Sequence, residues 1–86
     1  MIQYSFEFVD MVDEIIAVPV GNGASTVGGV LKLNQQGREL FELLQYGTEE
    51  QAVEILKKKY DNPYEELRDY VYSFVESLKE SGIWKD

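Results

Sequence analysis

The sequence predicts an α+β fold: a three-stranded antiparallel sheet followed by a three-helix bundle. Two observations carry this. Up to Asn34, apolar residues alternate or run in short bursts between Gly, Pro and Asp; beyond it they recur at helical spacing. Strands that all precede helices point to α+β and not to alternating α/β. At 86 residues, one domain spanning 1–86 fits and a second does not.

Each element has its own signal. Ile2, Tyr4, Phe6 and Phe8 share one parity, the mark of a half-buried first strand. Asp10 to Asp13 reads as a turn. Glu14 to Val20 is the second strand, and Pro19, which cannot donate to a ladder, either ends it or lies at an unpaired position. Gly21 to Ser25 is a turn cluster. Val27 to Leu33 is the third strand, with Leu31 and Leu33 on one face and Val30 and Lys32 on the other. Short loops make the three strands an antiparallel meander.

Three helices complete the chain. The first is predicted over Gln35 to Tyr46, between Asn34 as N-cap and Gly47, with Leu40, Phe41, Leu43 and Leu44 as its apolar face. The second opens on Thr48-Glu49-Glu50-Gln51, a capping box. It presents Ala52, Val53, Ile55 and Leu56 and ends in Lys57-Lys58-Lys59, where the helix dipole favours cations. The third opens on Asn62-Pro63, with Asn62 as cap and Pro63 in the first helical position, and stops at Gly82. A three-helix unit on a small antiparallel sheet is a winged-helix-like architecture.

Composition narrows the function. The chain has 8 Lys and Arg against 16 Asp and Glu, a net charge of −8, and neither His nor Cys. That removes the imidazole base, the thiolate nucleophile, the disulfide framework and ordinary zinc or iron–sulfur ligation. Nothing forms a nucleophile–base pair, so the expectation is a non-enzyme with no cofactor and no metal. Asp10, Asp13 and Glu14 lack calcium-loop spacing, and Glu49, Glu50, Glu65 and Glu66 fall in first helical turns, where the dipole explains them. The glycines at 21, 23, 28 and 29 lead into a strand and lack the lysine of a phosphate loop. The longest apolar run, Ile15 to Val20, is far short of the roughly 20 residues of a membrane span. No signal segment precedes it, so a soluble cytoplasmic protein is expected.

The run Gly29-Val30-Leu31-Lys32-Leu33-Asn34-Gln35-Gln36-Gly37-Arg38-Glu39-Leu40-Phe41-Glu42-Leu43-Leu44 resembles the PqqD-like proteins. Their hallmark is a strand ending in Leu-Asn, two residues, Gly, and an aliphatic–aromatic pair before Leu-Leu. The likeness continues through Gly47-Thr48-Glu49-Glu50, Tyr60-Asp61 and the long last helix ending in Gly82-Ile83, so it covers about 14 to 84. Phe41 stands where many members carry Trp, and the glycine-rich stretch before the third strand is longer than in the tightest members. The resemblance implies a recognition element that binds the leader of a ribosomally made precursor peptide. It would present that leader to a modifying enzyme such as a radical SAM maturase.

The resemblance also implies where the leader lies: as an added strand on the edge of the third strand, in a groove bordered by the third helix. This is β-augmentation, in which backbone hydrogen bonds give affinity and side-chain pockets give specificity. The residues assigned to that edge are Val27, Gly28, Gly29, Val30, Leu31, Lys32 and Leu33. The stretch is uncharged until Lys32, whereas sheet edges are usually blunted by charge, bulge or Pro. On the third helix, Leu67, Val71, Phe74 and Leu78 centre the core stripe, widened by Tyr64 and Val75 on one side and Tyr70 on the other. The groove flank is assigned to Tyr64, Arg68, Val71, Tyr72, Val75 and Lys79. Two cations beside apolar residues would suit a peptide carrying acidic and apolar side chains.

Two other functions compete. A winged-helix DNA-binding regulator would place the third helix in the major groove. Yet residues 61–86 hold three bases against seven acids, a net charge of −4 that phosphates would repel. A generic protein–protein adaptor is the other. A monomer or a strand-swapped dimer fits either.

Overall fold

The computed structural model describes residues 1–21 and 29–85. Its strands are β1 (Phe6–Asp10), β2 (Ile15–Pro19) and β3 (Leu31–Leu33), and its helices are α1 (Gln35–Tyr46), α2 (Glu49–Lys59) and α3 (Tyr64–Glu80). The sheet order is β1-β2-β3 and both pairings are antiparallel. Three strands followed by three helices is the predicted α+β order.

One sheet face carries the core. Phe6, Ile15 and Ala17 are buried, Leu31 and Leu33 pack against the same cluster, and all belong to one parity of the ladder. Phe41 of α1 is fully enclosed, with the Phe6 and Phe8 rings edge-on to it at 5.1 and 5.7 Å. Leu40, Leu44, Val53, Val71, Val75 and Ile83 complete the sealed centre.

The helix ends follow the sequence closely in α1 and α2. Asn34 Oδ1 accepts from the Gly37 amide at 2.7 Å. Glycine at 37 suits that approach, because a Cβ there would stand 3.2 Å from the Asn34 oxygen, closer than ordinary contact. The Thr48–Gln51 capping box is formed in both directions, at 3.2 and 2.9 Å. Helix α3 ends on Gly82 at φ 76, with the Ile83 amide bonded back to the Leu78 carbonyl and Gly82 to Lys79. The two buried side chains Leu78 and Ile83 accompany that turn.

Five expectations are corrected. The alternating N-terminal run is not one strand: β1 begins at Phe6, and Ile2 instead forms an isolated bridge with Trp84. There the Gln3 amide bonds to the Ile83 carbonyl, and Met1 and Lys85 exchange two backbone bonds of 2.9 Å. Asn62 does not cap α3. Pro63 takes that position with extended geometry, and the Asn62 amide group donates to Glu66 instead. Ile55 is 47% exposed, because the buried stripe of α2 runs through Ala52, Val53 and Leu56, about a quarter turn away. On α3 the stripe is rotated toward Val75, leaving Phe74 only half-buried.

The fifth correction concerns β3. Gly29 and Val30 lie outside its ladder, and Val27 and Gly28 lie outside the described residues. The cause is Pro19. The amides of Met11 and Val20 bond to the carbonyls of Glu14 and Ser5, so even-numbered residues of β2 turn their backbone polar groups toward β1. Odd-numbered ones, Ile15, Ala17 and Pro19, face β3. The bonded pairs Ile15–Leu33 and Ala17–Leu31 would continue with Pro19 opposite Gly29. Pro19 has no N–H to give, and the ladder stops at Leu31.

Candidate functional site

Strand β3 is at the edge of the sheet, with β2 as its neighbour. The same parity argument fixes which backbone groups it offers. Leu31 and Leu33 spend their N–H and C=O on β2, so those of Lys32 point to the open side. Val30 shares the parity of Lys32, and its side chain is 52% exposed. A strand arriving at this edge meets the amide and carbonyl of Lys32 first, with no competing ladder bond among the described residues. The Leu31 and Leu33 side chains rest on the core, while Lys32 projects from the opposite face.

The residues assigned to the α3 flank divide into two groups. Tyr64, Arg68, Tyr72 and Lys79 are exposed and fall within an arc of about 80° at 100° per residue. Val71 lies beside this arc and Val75 within it, but they are 0% and 1% exposed. Their side chains belong to the core and leave no surface for a ligand, which corrects their expected place in the groove lining. Arg68 approaches Asp69 at 3.7 Å and Lys79 approaches Glu76 at 3.6 Å. Both are loose surface pairs that exchange easily for a ligand carboxylate.

A second cluster carries no signal in the sequence. Lys59 of α2 pairs with Glu39 of α1, and the Tyr60 hydroxyl donates to the same carboxylate at 3.1 Å. The Lys59 hydrogen bond holds the Glu39 carboxyl below the usual range and raises the Lys59 ammonium above its own. Across a cleft of about 300 Å³, burial pushes the Tyr70 phenol up, with the Glu39 charge adding to it. Glu39 and Lys59 stand twenty residues apart, so only the packing of α1 on α2 brings them together. Glu39, Lys59 and Tyr60 thus form a surface ion pair with an added hydrogen bond that ties α1 to the end of α2. On the other side of α1, Arg38 bonds to Asp10 at 2.8 Å and lies 4.8 Å over the Phe8 ring, tying the helix to β1.

Among the described residues, no group of three or more acidic side chains is arranged to hold a metal ion. No described helix is long and apolar enough to cross a membrane.

Comparison with known proteins gives two matches. The family model described as Coenzyme PQQ synthesis protein D (PqqD) matches residues 12–83. No curated protein matches the sequence. Among solved structures, the chain superposes on TbiB1 in complex with the TbiA(beta) leader peptide with a TM-score of 0.72. The identity is 17%, over 98% of this chain and 99% of that one. At this identity the likeness is one of fold.

Proposed function

The chain belongs to the PqqD family, and from that premise we propose that it is a non-catalytic recognition element for the leader of a ribosomally made precursor peptide. The observation that carries this reading is the open backbone of Lys32 on an edge strand whose other amides are already committed to β2. The leader pairs antiparallel to β3 and continues past Val30, and its side chains rest against Tyr64, Arg68, Tyr72 and Lys79. Support comes also from TbiB1, which shares the fold and was solved with a leader peptide. The lack of His and Cys suits a protein that holds a peptide while a separate enzyme, such as a radical SAM maturase, performs the chemistry.

The test is titration of isotope-labelled protein with the leader of a precursor encoded beside it, followed by amide chemical shifts. Val30, Lys32 and the exposed arc of α3 shift first and saturate together. Shifts confined to the Glu39–Lys59–Tyr70 side, or none at millimolar leader, would overturn the proposal.

A further inference from the structure

Lys32 holds the one charge between Glu14 and Arg38. It stands in the middle of β3, exposed, on the sheet face away from the core. Half-buried Ile16 is opposite it on β2, and Val30, its neighbour on the same face, is 52% exposed. None of the ion pairs among the described residues includes Lys32. In a chain with 16 acids against 8 bases, this ammonium group is set among apolar neighbours with no carboxylate paired to it there.

The backbone decides what stands beside it. The Lys32 N–H and C=O point to the open side, so a strand added antiparallel sets one residue, n, in a hydrogen-bonded pair with Lys32. The side chain of n projects to the same face as the ammonium group, with the two Cα atoms about 5.5 Å apart. An opposite charge is favourable there and a like charge is not. Residues n−1 and n+1 turn to the other face, beside the half-buried side chains of Leu33 and Leu31. Residue n+2 returns to the first face, opposite Val30. Resting on the leader-binding reading above, we propose that Lys32 is a specificity-determining residue. It selects leaders that present, in chain order, an apolar residue, an acid and two further apolar residues to β3. Glu suits position n better than Asp, which strands disfavour more strongly. The contact also fixes register, because a slip of one residue turns the acid onto Leu31 or Leu33 and an apolar side chain onto Lys32. The same lysine rejects the wrong strand: β3 of a second copy, paired antiparallel about this point, would set two ammonium groups opposite each other.

The experiment is anisotropy titration with labelled synthetic copies of the leader encoded beside this protein, each acid replaced in turn by Lys. Every peptide is titrated with the parent and with Lys32→Glu. One acid, with apolar residues on both sides, should lose about fivefold in affinity for the parent when it becomes Lys, and Lys32→Glu should restore that peptide to within about twofold of the original complex. The contrast should shrink as salt rises to about 0.5 M, because the pair is exposed. Exchanging that acid with the residue after it turns the charge onto Leu31 and should weaken binding by about tenfold or more. Lys32→Gln, which removes the charge alone, should erase the difference between the acid and lysine peptides, and it decides the matter if Lys32→Glu fails to fold. Leader that binds the parent while no acid couples to position 32, or whose coupled acid lacks the apolar neighbours, overturns the proposal and leaves leader binding standing. Leader that does not bind the parent at all overturns the leader-binding reading, and this inference with it.

Discussion

Replacing Lys32 by Pro separates the backbone of the edge from its side chains. The Lys32 N–H faces away from β2, so its removal breaks no bond of the sheet. Proline is tolerated on an edge strand in this orientation, and the fold should lose no more than about 1 kcal/mol. The cost falls on the leader. It loses one hydrogen bond, one of its carbonyls is left without a donor in a closed ladder, and the ring occupies the space of the incoming strand. A stranded buried acceptor costs about 1–3 kcal/mol, roughly five- to 150-fold in affinity. Lys32→Ala keeps the amide and removes the charge, and should stay within about threefold of the parent, well under 1 kcal/mol. The assay is fluorescence anisotropy of a labelled leader, with circular dichroism and melting curves to establish that each variant is folded. Folded Lys32→Pro that binds like the parent would refute the reasoning and move the leader to another edge, of which the outer side of β1 is the obvious candidate.

Other outcomes follow from the same geometry. Arg68→Glu reverses the sign of the α3 flank and should weaken a leader carrying an acid there by about 1–3 kcal/mol, read by the same anisotropy titration. Phe41→Ala empties a fully enclosed site bounded by two phenyl rings and should destabilise by about 3–5 kcal/mol in chemical denaturation, whereas Phe74→Ala, half-exposed, should cost about 2 kcal/mol or less. The Glu39–Lys59 pair should support stability at neutral pH. That support is lost as acid protonates Glu39, whose depressed carboxyl marks the lower limit, and again as base neutralises Lys59, whose raised ammonium marks the upper. The melting-temperature gap between the parent and Lys59→Met should therefore be widest near neutrality and close in acid.

What the sequence made legible was whatever is decided locally. The bounds of α1, its Asn34 cap and the Thr48 capping box are settled within four residues of themselves, and each appears where the pattern puts it. The start of β3 was not legible, because it depends on which way Pro19 points, and that depends on the pairing of β2 with β1. The pairing of Ile2 with Trp84 and of Glu39 with Lys59 joins distant segments that carry no mutual spacing signal. For the candidate site, the edge position of β3 follows from the meander order, whereas the uncharged stretch taken to mark it lies mostly outside the three-residue strand; the exposed arc of Tyr64, Arg68, Tyr72 and Lys79 could be read from helical angles. Periodicity put Val71 in the core stripe but could not show that Val75, at an angle shared with exposed Tyr64 and Arg68, is sealed as well, because that depends on what packs over it.

The pairing of Ile2 with Trp84 sets an order on folding during synthesis. Met1 to Gln3 leave the ribosome well before their partners Leu44, Ile83, Trp84 and Lys85, and the Met1–Lys85 contact spans 84 positions. Ile2, with 6% of its surface exposed, must wait with its side chain in water until the end of α3 has emerged. Contacts this distant in sequence slow folding, and an apolar segment held open meanwhile is open to mispairing. The β1–β2 hairpin and the capped α1 need nothing beyond Gly47 to begin forming, so the nascent chain has most of its sheet before it has the clasp that closes it.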